Sequence, residues 1–104
     1  MAASVLPLPP WKTPRPVDRW IWLDIEVFDA LGALIREGRV SWNQDGTGHY
    51  KVSITYQDHD GLGLYCWPEF RELDDAKAFV ERLMDMGPEA AQAIHGTQWP
   101  GVVL

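Results

Sequence analysis

From Trp20 to Phe28 the chain alternates without a break, and this constrains the fold more than any other feature. Ile21, Leu23, Ile25 and Val27 fall on one side of a period-2 pattern, and Trp20, Trp22, Asp24, Glu26 and Phe28 fall on the other. Successive side chains of a strand point to opposite faces, so the first set must be core. The second set mixes large aromatics with carboxylates, which is unusual for a face turned only to water. Six tryptophans in 104 residues sharpen the point. A domain of this size cannot bury six indoles in one core, and tryptophan is enriched where proteins grip one another.

The second alternating run is His49–Gln57, with Tyr50, Val52, Ile54 and Tyr56 facing inward. Between the two runs, residues 29–42 allow a helix started by Asp29 or a hairpin turning at Asp29-Ala30-Leu31-Gly32. The hairpin is favoured, with a strand from Ala33 to Trp42 and a bulge near Gly38. A fourth strand runs from Leu62 to Trp67 and is ended by Pro68. The helix Asp75–Met86 follows, with Asp74 as N-cap and Ala76, Phe79, Val80, Leu83 and Met84 on one stripe. Gly87-Pro88 stops it, and a short second helix spans Glu89–His95.

The expected class is therefore α+β: an antiparallel sheet of three to four strands, one main C-terminal helix on one face, and a short second helix. Predicted core residues are Ile21, Leu23, Ile25, Val27, Val52, Ile54, Leu64, Phe79, Val80 and Leu83. Residues 1–18, with five of the eight prolines, form an extended arm. Residues 19–96 form the single domain, and 97–104 an apolar tail.

Charge narrows the partners. The net charge is −6, and residues 58–104 carry nine acids against three bases. Phosphate neutralisation by Lys and Arg drives nucleic-acid affinity, so an acidic body disfavours it. A protein partner with a basic surface fits better. The lone Cys66 forbids an intrachain disulfide and fits a reducing compartment, hence a cytoplasmic expectation. The first residues lack the basic start of a signal peptide, and no apolar run is long enough for a membrane span.

Motifs for chemistry are partial. Asp58, Asp60, Gly63 and Glu69 fall at positions 1, 3, 6 and 12 of a calcium loop, but Leu62 stands where an oxygen ligand is needed. His49, His59 and His95 lack the pair spacing of a zinc site. Gly46-Thr47-Gly48 has no lysine or helix start for a phosphate loop. Cys66 sits in an apolar strand pattern and has no base beside it. Asp24 and Glu26 lie about 7 Å apart along a strand, yet an open sheet is a poor cleft for paired carboxylate chemistry. Pro7 to Lys12 matches a short polyproline ligand pattern of the kind SH3 domains take. No metal, no cofactor and no enzymatic activity are expected.

The functional expectation is a small, acidic, non-enzymatic protein-binding module. It would inhibit or adapt a larger machine, as phage- and plasmid-type inhibitors such as anti-CRISPR proteins do. Its contact residues are expected to be Trp20, Trp22, Asp24, Glu26 and Phe28 on the strand and Glu72, Asp74, Asp75, Glu81 and Asp85 at the helix. A homodimer through the aromatic strand face is a further expectation. The alternative is a nucleic-acid-binding β platform using the strand aromatics and the basic arm residues Lys12, Arg15 and Arg19.

Overall fold

The computed structural model describes residues 10–57 and 62–86, with the backbone alone at 62–68 and at 86. Five strands and one helix follow in order: β1 (Arg15–Val17), β2 (Trp20–Phe28), β3 (Leu34–Asn43), β4 (Tyr50–Tyr56), β5 (Leu62–Phe70) and α1 (Leu73–Met86). The strands form one antiparallel sheet in the order β1-β2-β3-β4-β5, with every neighbour in sequence also a neighbour in space. Short connections permit only this meander. The class is α+β, with five strands instead of the three to four expected. The second helix at 89–95, the tail and the turn at 58–61 lie outside the described residues.

The extra strand comes from the proline arm. Arg15, Pro16 and Val17 pair with Trp22, Ile21 and Trp20. A strand at the sheet edge needs hydrogen bonds on one side only, so Pro16 without its N–H is tolerated there. Asp18 turns the chain with a left-handed φ of 54°. Aspartate accepts that conformation more readily than most residues.

The β2–β3 connection is the hairpin. The Asp29 carboxylate accepts from the backbone N–H of Leu31 and Ala33 at 2.8 and 3.0 Å. Gly32 supplies a φ of 85°. The irregularity falls between Val27 and Phe28, opposite Leu34–Arg36, and not at Gly38, which stays in register with Ile25. Gly38 is needed for another reason. A Cβ there would overlap Val80 Cγ1 and lie 3.1 Å from Ile25 Cγ2. The helix presses against the sheet at this point, and only a bare Cα leaves room.

β5 does not end at Pro68. It continues to Phe70, with three residues set against Val52 between the Lys51–Glu69 and Ser53–Tyr65 pairs. Pro68 stands inside this bulge, where its missing N–H removes no ladder bond. Phe70 is thereby delivered to the core, tilted against Phe79 with centroids 5.3 Å apart.

The core lies between the sheet and α1. Ile25, Val40, Val52, Ile54, Tyr56, Phe70, Ala76, Phe79, Val80, Leu83 and Met84 form one buried cluster. Leu23 is buried too, while Ile21 and Val27 are half-buried. The side chain of Leu64 lies outside the described set. α1 begins at Leu73, so Asp74 and Asp75 sit in its first turn and Asp74 is not the cap. There they still favour the positive end of the helix dipole.

The last turn of α1 has no basic residue of its own. The sheet compensates: Arg36 Nη1 donates to the Met84 carbonyl and Tyr56 Oη to the Leu83 carbonyl, both at 2.7 Å. Terminal carbonyls that the helix leaves open are thus satisfied across the layer.

Candidate functional site

The sheet face away from α1 carries the residues singled out on β2. Backbone pairing brings cross-strand partners onto the same side. Asp24 faces Arg39, Trp22 faces Ser41 and Arg15, and Glu26 faces Glu37. Ser53 and Lys51 of β4 extend the face.

The centre is an ion-paired lattice around one tryptophan. Arg39 Nε donates to Asp24 Oδ1 at 2.6 Å, and Arg15 Nη2 lies 3.3 Å from Asp24 Oδ2. Asp24 is only 6% exposed and is the one buried charged residue among those described. A carboxylate so desolvated persists when charged donors meet it, as two do here. The Arg39 guanidinium lies 3.8 Å from the Trp22 ring centroid, and that of Arg15 lies 5.1 Å away. Lys51 lies 5.3 Å from the Trp20 ring. Trp20 and Trp22 are half-buried beneath these cations. Such contacts contribute roughly 0.5–2 kcal/mol each, according to desolvation.

Toward the hairpin end the charges stop matching. Glu26 stands directly opposite Glu37. Like charges so placed are destabilising. Lys12 pairs with Glu26. Glu37 has no ion pair among the described residues. Burial pushes its carboxyl above the usual range, Arg39 pulls it back, and Asp24 and Glu26 push it up again. Beyond this pair the face ends in Phe28, 53% exposed, and the hairpin tip in Leu31, 93% exposed.

Among the described residues, the arm places Arg15 over the Trp22 ring but not its own indole. Its Trp11 crosses to the other layer, packs against the core cluster, and donates Nε1–H to Glu81 at 2.7 Å. Lys77 lies 5.6 Å from the Trp11 ring. The backbone N–H of Lys12 donates to the Asp24 carbonyl at 2.8 Å.

The expected contact residues therefore divide into two groups. Trp20, Trp22, Asp24, Glu26 and Phe28 share the sheet face away from α1. Glu72, Asp74, Asp75, Glu81 and Asp85 lie on or beside α1, in the opposite layer. The carboxylates on the strand face are largely matched within the chain, so this face is not the bare acidic strip that β2 alone suggests. Arg39 and Lys51 join this face without being among the expected contact residues, although the alternation of β4 already turns Lys51 outward. β4 alternates polar and apolar residues and β3 carries Arg36, Glu37 and Arg39 around Gly38, but only the pairing register shows which cations reach which indoles.

Among the described residues, no three His, Cys, Asp or Glu side chains come together as a metal site. No described helix is long and apolar enough to cross a membrane. Compared with known protein families, with curated proteins and with solved structures, the chain matches none.

Proposed function

We propose that this protein is a non-enzymatic binding module, an inhibitor or adaptor, that docks a protein partner on the open face of its sheet. The observation that carries the reading is the juxtaposition of Trp22, held between Arg15 and Arg39, with Glu37, which stands opposite Glu26 and has no ion pair among the described residues. Tryptophan and arginine dominate binding hot spots, and a side chain already held by its neighbours loses little entropy on docking. A basic side chain of the partner would relieve the repulsion between the two glutamates, with Phe28 and Leu31 offering apolar contact alongside.

The acidic residues of α1 point to a different role. They are on the far layer, so one partner surface cannot cover both groups. With a net charge of −6 they favour steering of a basic partner.

The test is Trp22→Ala. The variant stays folded, because the ring lies outside the core cluster, and it weakens the complex with a purified binding protein by about 2 kcal/mol. Asp85→Lys, on the other layer, changes association rate more than residence time. A folded Trp22→Ala protein with full affinity removes this face from the account. Single-stranded nucleic acid is the competing occupant, since Arg39 and Lys51 place cations on the indoles. It would show a steep linear loss of affinity with log salt.

A further inference from the structure

At the end of the sheet where β3 turns into β4, the hairpin and the β5–α1 connection enclose a cavity of about 150 Å³. It is separate from the open face. Trp42 and Tyr50 form one wall, in edge contact with centroids 5.3 Å apart and planes inclined by 63°. Asn43, Gly48, His49 and Arg71 complete the lining used in the argument.

We propose that this cavity binds a small oxyanion: one carboxylate or phosphate group on a body of few atoms. The first reason is charge. Arg71 has no hydrogen bond, ion pair or ring contact among the described residues, and no acid lines the cavity. Of the acids next to lining residues in sequence, Glu72 is not part of the lining, and Asp45 and Glu69 have partners of their own. Asp45 accepts from Thr47 N at 2.9 Å and Thr47 Oγ1 at 2.7 Å, which holds its carboxyl below the usual range. Glu69 faces His49 Nδ1 at 3.5 Å and leaves Nε2 without a partner among the described residues. A guanidinium fork with an imidazole beside it suits a planar or tetrahedral anion.

The second reason is that the walls are built in advance. Asn43 Nδ2 donates to the Thr47 carbonyl at 3.2 Å and closes the turn. Gln44 ties the turn to the rest of the sheet. Its backbone N–H donates to the Arg19 carbonyl at 2.9 Å, and its Nε2 to the Asp18 carbonyl at 2.7 Å. Gly48, at a φ of 79°, keeps the rim low. A preformed site spends less of its interaction energy on ordering.

The third reason is size. A water occupies about 30 Å³, so the space holds on the order of five waters. That is below the roughly 300 Å³ of a drug-sized pocket. The ligand is a free small acid or the carboxyl end of a chain.

The experiment is a two-dimensional ¹H–¹⁵N titration of the full chain at constant ionic strength. The probes are acetate, inorganic phosphate, and an N-acetyl dipeptide with either a free or an amidated C-terminus. Saturable shifts are expected at the amides of Gly46, Gly48 and His49 and at the Trp42 indole. Saturation by acetate or phosphate assigns a free anion. Saturation by the dipeptide acid, but not by its amide, assigns a chain terminus. Arg71→Gln is expected to weaken binding at least about tenfold at an unchanged Tm, and Arg71→Lys to keep part of the affinity. Shifts that fail to saturate by about 20 mM with every probe, or that survive unchanged in Arg71→Gln, overturn the assignment.

Discussion

Two residues show how single positions carry this fold and its surface. At Gly38 α1 comes close to the sheet, and Val80, Ile25 and Met84 surround the space a Cβ would need. Gly38→Ala should cost about 1–3 kcal/mol through overpacking, measured as a lower urea midpoint. An unchanged midpoint would mean that the helix shifts freely on the sheet. Glu37 makes the opposite prediction. Its folded carboxyl titrates above the value of 4.5 that it has when exposed. The folded state therefore holds that proton more tightly than the unfolded state, and stability falls as pH rises from 4.5 through the folded value. Glu37→Gln, which mimics the protonated form, should raise the urea midpoint at pH 7. The gain should vanish below the unfolded value. Equal midpoints at both pH values would show that neither the burial of the Glu37 carboxyl nor the acids beside it affect stability. If a partner cation docks between these glutamates, the same variant should bind more weakly while being more stable.

At the scale of elements, the long alternating runs were legible in the sequence and the short or interrupted ones were not. β2 and β4 declare themselves because period 2 is sustained and one face is wholly apolar. The Asp29–Gly32 turn is legible because its chemistry is local: an aspartate that bonds the next turn of backbone, then a glycine with positive φ. β1 was not legible. Three residues containing a proline carry no pattern, and they become a strand only because the edge of β2 stands next to them. The end of β5 is not legible for a related reason, since proline stops a regular strand but is accommodated in a bulge. The arm is thus part of the folded unit. Trp11→Ala should lower stability by about 1–3 kcal/mol, because it removes packing on the core and the hydrogen bond to Glu81. Deleting residues 1–18 should cost more. It also bares the edge of β2 and leaves Asp24 with Arg39 alone. Unfolding by urea and sedimentation at rising concentration would report the two effects. A truncated chain with the stability and the association state of the full one would contradict this account.

For the whole molecule, one layer of helix on one layer of sheet gives two outward surfaces of different character. The helical side is acidic. The sheet side is a lattice of tryptophans, arginines, lysines and carboxylates in near balance. Lys12, Arg15, Arg39 and Lys51 stand there with Asp24, Glu26, Glu37 and Glu69, all within or beside the face. Net charge alone hides this anisotropy, because it sums over both surfaces.

What the sequence determined by itself was periodicity and local turn chemistry. It marked the apolar faces of β2, β4 and α1, the hairpin at Asp29, and the unusual company of indoles and carboxylates on one strand. These are properties of neighbours in the chain, and physics at that range suffices to read them. The tertiary structure alone decided register, and register decided the site. It set Arg39 opposite Asp24, Glu37 opposite Glu26, and Arg36 beneath the helix end. It also sent Trp11 to one layer while Trp22 stayed on the other. Such pairings join residues far apart in sequence, and their energies depend on a few ångströms of separation and on how much water is excluded. No window along the chain contains that information.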